Sequence, residues 1–147
     1  MRERGFVVRL REAGIQLTSP RLRRASATVA GGRDAMRQLL VTGPRPTALF
    51  CANDLMAIGA VKQCLTVGLR LPEDISLVGC DDIELARFIT PELSTVSIPA
   101  RELGARAARL LVQLIEQTPQ RVSATRLLPV RFVARGSSGI APTTGVV

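Results

Sequence analysis

The stretch "TALFCANDLMAIGAVKQCLTVGLRLPEDISLVGCDDIE", residues 47–84, contains two short apolar runs, and each ends in polar or acidic side chains, "CAND" and "GCDD". The runs, residues 47–52 and 75–80, are apolar on successive positions, so both faces of each strand would be covered, as in a parallel sheet sandwiched by helices. Between them residues 55–67 place Ile58, Val61 and Leu65 at helical spacing, and Gly68 followed by Pro72 closes that helix. Strand, helix, strand at this spacing is a βαβ unit. Its right-handed crossover makes the two strands parallel neighbours, with their carboxyl ends side by side.

The same alternation continues outward in both directions. Upstream, residues 6–13 read as a helix that stops at Gly14, residues 25–30 as a short strand, and residues 31–41 as a helix with Met36, Leu39 and Leu40 on one side. Downstream, residues 94–97 are extended and residues 127–134 form a last strand. Residues 99–116 make the longest helix, with a proline in its first turn and a stripe of Leu103, Ala107, Leu110, Leu111 and Leu114. Residues 139–147 form a flexible tail. The class is α/β, a mainly parallel sheet flanked by helices.

In open parallel sheets the carboxyl edge is where loops leave a crevice and helix N-termini point into it. Asn53 stands there after the first strand and Asp81 after the second. Pairing Asn53 with Asp81 across the sheet offers an amide that donates and accepts beside a carboxylate that accepts from two hydroxyls. That combination suits a small ligand rich in hydroxyl or amine groups. The alternative is that Asn53 and Asp54 cap a helix while Asp81 and Asp82 satisfy a turn. The same register sets Cys51 opposite Gly79 and Cys80 opposite Ala52, so the two thiols point to opposite faces and a disulfide between them is not expected.

Composition narrows the function classes. The 147 residues are 46% hydrophobic and carry a net charge of +8, almost all from arginine. The arginines are spread along the chain without a block or a recognition-helix pattern, so the charge does not by itself point to nucleic acid. No segment approaches the about 20 apolar residues of a membrane span, and no signal-peptide pattern opens the chain; a cytoplasmic protein without membrane contact is expected. The three cysteines are widely spaced and there is no histidine, which removes the commonest zinc ligand and acid/base group. Asp81 and Asp82 as a catalytic pair are disfavoured because adjacent residues on an extended chain point apart, and no phosphate-cradling glycine loop accompanies them. No catalytic residue, metal site or cofactor is expected.

Four pieces in order, "PTALFCANDLMAIGA", "GLRLPEDISLVGCDDIELARFITPELSTV", "ELGARAARLLVQLI" and "LLPVRFVARGSS", resemble the carboxyl-terminal half of the effector-binding region of LacI/GalR-type bacterial transcription regulators. The resemblance covers residues 2–138. It implies the fold of type I periplasmic binding proteins, two α/β subdomains that hold a sugar, nucleoside or related small effector between them. By matching position it implies effector contacts from Asn53, Asp81 and Arg2, the last standing three residues before Gly5 in "RERGF", and from Phe50, where some members pack a ring on the ligand. An arginine there makes physical sense because its planar fork donates in a fixed geometry; its alternative reading is a frayed terminal charge. Two departures, Cys80 where many members have an aromatic and Ile98 or Ala100 where some have a ligand-facing polar or aromatic group, leave the effector's identity open.

The resemblance further implies a homodimer in which DNA is read only through a helix-turn-helix head that this chain does not contain. Residues 1–138 would then be a partial effector domain, with residues 94–117 belonging to the other subdomain. The opening strand of the second subdomain, expected between residues 25–30 and 47–52 in the sheet, is also missing. The expected function is small-molecule sensing for a transcription regulator, the alternative being a solute-binding protein of the same fold in sugar uptake.

Overall fold

A computed structural model describes residues 2–116 and 127–141. In chain order it contains α1 (Arg2–Glu12), a 3-10 turn (Ser19–Arg21), α2 (Val29–Val41), β1 (Ala48–Phe50), α3 (Asp54–Thr66), β2 (Ser76–Asp81), a second 3-10 turn (Glu84–Arg87), β3 (Ser94–Ser97), α4 (Ala100–Ile115) and β4 (Arg131–Val133). The strands lie in the order β1-β2-β3-β4; the first three run parallel and β4 returns antiparallel. This is the mainly parallel α/β sheet that the sequence predicts. No described helix is long and apolar enough to cross a membrane.

Phe50 pairs with Val78, and the Cys51 N–H donates to the Val78 carbonyl at 2.8 Å. Carried past that point, the register sets Asn53 level with Asp81, as the two apolar runs imply. The core lies between this part of the sheet and helices α2 and α3, around Met36, Ala57, Val61, Ile75, Leu77 and Leu93. Ile75 and Leu77 are fully enclosed, and each such side chain contributes about 1.5–3 kcal/mol relative to exposure. Helices α2 and α3 meet through glycine. A Cβ on Gly32 would overlap the backbone of Met56, and one on Gly59 would overlap the Val29 carbonyl.

The strand expected at residues 25–30 is not formed. Thr28 is instead the N-cap of α2, its hydroxyl accepting from the Gly31 N–H at 3.1 Å, so the helix starts at Val29 and consumes the end of the apolar run. The segment leading into the tail is tied to the sheet. Ser137 is buried; its hydroxyl accepts from the Ser94 N–H at 2.8 Å and donates to the Leu77 carbonyl at 2.7 Å, while the Gly139 N–H donates to the Ser76 hydroxyl. Residues 142–147 of that tail lie outside the described residues.

Two apolar surfaces are left open. β3 sits inside the sheet, whereas α4 stands clear of the core: none of its side chains is buried, and Leu111 and Leu114 are 59% and 63% exposed. The other is beside β1, which ends the sheet. Thr47 and Cys51 bond to β2, so the main-chain groups of Ala48 and Phe50 face the opposite way. They open into a groove of about 940 Å³ walled by α1, α2 and the connection between them, with Phe6, Leu10, Leu17, Met36 and Leu39 among its lining.

Candidate functional site

At the carboxyl end of β1 the chain turns straight into α3. Asn53 adopts an extended backbone and caps the helix, its side-chain oxygen accepting from the Met56 N–H at 2.8 Å. Its amide nitrogen donates to the Ala27 carbonyl at 3.4 Å, which leaves one N–H uncommitted to either contact. The cap therefore fixes the amide's orientation.

At the end of β2 the backbone is unusual. Asp81 and Asp82 both have positive φ, 124° and 56°, conformations that non-glycine residues seldom adopt. Consequently the two carboxylates diverge. Asp81 remains one-third exposed and pairs with Arg2, whereas Asp82 turns inward onto Arg135 at 2.6 Å, with side-chain exposures of only 11% and 8%. The Arg135 guanidinium also donates to the Leu93 carbonyl at 2.8 Å, and its hydrogen bond to Asp82 holds that carboxyl below the usual carboxylate range.

Arg2 joins the two strand ends. From α1 its guanidinium donates to the Ala52 carbonyl at 2.6 Å and to the Asp81 carboxylate at 2.7 Å. Ala52 immediately precedes Asn53, so Arg2, Asn53 and Asp81 share one rim. Phe50 lies lower, stacked on Phe6 with ring centroids 4.9 Å apart and planes 19° from parallel. Arg2, Phe50 and Asn53 also line the groove beside β1.

Beneath this rim lies a group whose structural reach sequence reasoning missed. Asp54 is fully buried; its carboxylate accepts from the Thr95 hydroxyl at 2.6 Å and from the Ile83 N–H at 2.9 Å. Gly79 makes room for it, since a Cβ there would overlap the Asp54 carboxylate. A glycine interrupting an apolar strand was the available signal for that close approach. Arg135 gave no local signal, because it meets Asp82 from 53 residues away.

The thiols take no part in this arrangement. All three cysteines are free and buried. Burial pushes Cys51 up to about 12 and Cys64 up to about 11, so both stay protonated and unreactive at neutral pH. Among the described residues no cluster of three or more His, Cys, Asp or Glu side chains could hold a metal ion.

A family model described as a periplasmic binding protein-like domain matches residues 1–138. The HTH-type transcriptional repressor CytR of Escherichia coli (strain K12) is 39% identical over 142 residues, 96% of this chain and 41% of that protein. The ribose operon repressor of the same organism is 37% identical over 138 residues, 94% of this chain and 42% of that protein. The chain thus spans less than half the length of these relatives. Among solved structures, a transcriptional regulator CelR–cellobiose complex superposes with a TM-score of 0.86 at 33% identity, over 93% of this chain and 42% of that one. A LacI family transcriptional regulator from Arthrobacter sp. FB24 in complex with lactose superposes with a TM-score of 0.77 at 35% identity, over 90% and 48%.

Proposed function

Because this chain belongs to the periplasmic binding protein-like family, as part of the effector-binding domain of a LacI-type transcription regulator and not an enzyme, we propose that it senses a small polar metabolite at the rim formed by β1 and β2. The effector class is a sugar, nucleoside or similar hydroxyl-rich molecule. Arg2 and Asp81 supply charge-assisted hydrogen bonds, the free N–H of Asn53 supplies a neutral one, and Phe50 offers a ring on which an apolar face of the ligand can rest.

The observation that carries this reading is the Arg2 bridge. One guanidinium reaches both strand ends, at 2.6 Å and 2.7 Å, from an exposed position where a hydroxyl could replace either partner. Solved structures of similar regulators in complex with cellobiose and with lactose support the effector class. Regulation of DNA then takes place in the cytoplasm, through a helix-turn-helix head elsewhere in a longer polypeptide and within a homodimer.

The test is titration of the chain with ribose, cellobiose, lactose, adenosine and cytidine, followed by saturation-transfer NMR and calorimetry. At least one compound should bind saturably, with Kd on the order of 1 mM, about −4 kcal/mol, because only one wall of the cleft is present. No saturable signal from any of them at concentrations well above that value would refute the reading.

The open surfaces support assigning α4 to the N-terminal subdomain of the longer protein, and the groove beside β1 to the opening strand of the second subdomain. In isolation the chain should then self-associate. Sedimentation at micromolar concentration is expected to show dimers or larger species, and an apolar dye should bind strongly. Leu111→Lys combined with Leu114→Lys should shift the population toward monomer; an unchanged distribution would rule α4 out as the contact.

A further inference from the structure

We propose that Asp54 is a positioning residue for the rim, a buried brace that sets the separation of Asn53 and Asp81. The inference rests on the reading of that rim as the effector site. Asp54 follows Asn53 directly in the chain, so wherever its carboxylate is held, the cap residue is held too. That carboxylate is bonded to the Ile83 N–H, two residues beyond Asp81, at 2.9 Å. One side chain therefore connects the loop after β1 to the loop after β2.

The second bond, from the Thr95 hydroxyl, anchors the same carboxylate to β3 at 2.6 Å. The positive φ at both Asp81 and Asp82 means that this turn persists only because its surroundings over-determine it. Arg135 grips it on one side through Asp82, and Asp54 grips it on the other through Ile83. A buried carboxylate is a demanding way to fill this space, since it requires hydrogen bonds to offset its lost hydration. Here they come from Thr95 and Ile83, with added support from the N-terminus of α3, where the helix dipole favours negative charge. An apolar side chain of similar size would fill the pocket but leave the two loops unconnected.

Arg2 provides a readout that needs no ligand, because its guanidinium spans the same two strand ends. In ¹⁵N NMR of the whole chain its Nη signals should be resolved and slowed by the bridge. In Asp54→Ala they should collapse to an averaged signal while the amide spectrum stays dispersed, and affinity for whichever of the five titrated compounds binds should fall at least about tenfold. Asp54→Asn can still accept from Ile83 and donate to Thr95, so it should restore both readouts. Thr95→Val removes only the anchor to β3 and should lower the melting temperature while leaving the Arg2 signals in place.

If Asp54→Ala does not fold, replacing the Ile83 amide with an ester removes the single N–H without altering any side chain, and it should release Arg2 in the same way. Unchanged Arg2 signals in folded Asp54→Ala, or in the ester, would overturn the proposal. Should none of the five compounds bind the parent chain while Arg2 still responds to Asp54→Ala, the brace stands and the effector reading fails.

Discussion

Asp82→Ala is expected to lower stability by about 3–5 kcal/mol, because it strands the Arg135 guanidinium in a site where that side chain is only 8% exposed. Asp81→Ala, one residue earlier, should lower it by less than about 1 kcal/mol, since the pair it breaks with Arg2 is 43% and 34% exposed. In ligand binding the order reverses. Loss of the Asp81 carboxylate removes a charged hydrogen-bond partner and should weaken effector affinity about 10- to 100-fold, whereas folded Asp82→Ala protein should retain most of it. Urea titration and calorimetry on the two variants separate these effects; equal behaviour of the two aspartates in both measurements would undo the assignment. Acid gives an independent check. Arg135 depresses the folded-state value of Asp82, so the stabilisation is fully present above the unfolded value of about 3.9 and is lost as pH falls from there through the folded value. The parent chain should lose more stability in acid than Asp82→Ala, which keeps only the loss from Asp74, whose carboxyl the hydrogen bonds from Arg70 hold low.

Gly32→Ala and Gly59→Ala should each destabilise by about 2–4 kcal/mol, although alanine is the better helix former by about 0.5–1 kcal/mol. In both cases the added methyl meets backbone of the facing helix, Met56 for Gly32 and Val29 for Gly59, and backbone cannot rotate away. Relief requires α2 and α3 to separate, which opens the core around Met36, Ala57 and Val61. Combining the two should give less than the sum, because one displacement accommodates both methyls. Gly104→Ala on α4 is the control, with nothing within 4 Å of its Cβ. It should raise helical content by circular dichroism and leave the cooperative melting transition in place. Thermal denaturation of the three variants checks the ranking, and a Gly59→Ala protein as stable as the parent would show that the helices are not in contact there.

The central βαβ unit was legible because its two apolar runs are continuous and its helix has a clear period, so the register that sets Asn53 level with Asp81 followed from counting. Residues 25–30 misled for a local reason: the chain bends at Ala27 and Thr28, where the Thr28 N–H donates to the Ser26 carbonyl, and the threonine hydroxyl then accepts from the Gly31 N–H and starts α2. The strand's last residues were helix. Contacts made at long range were not legible. The pairing of Arg135 with Asp82, the stacking of Phe6 on Phe50 and the locking of Ser137 onto Leu77 each join segments whose local pattern shows nothing of the partner. Asp54 was visible only as a possible cap; its burial depends on Gly79 and Thr95, which come from two further strands.

Along the exposed border of β1, hydrogen bonding alternates residue by residue. The Cys51 amide is engaged by Val78, whereas those of Ala48 and Phe50 point toward the groove. In deuterated buffer adjacent amides of one short segment should therefore trade their protons at widely different rates, slow at Leu49 and Cys51 and fast at Ala48 and Phe50. Whatever polypeptide came to occupy that space would erase the contrast, so isotope uptake at two amides is enough to tell a filled molecule from an empty one.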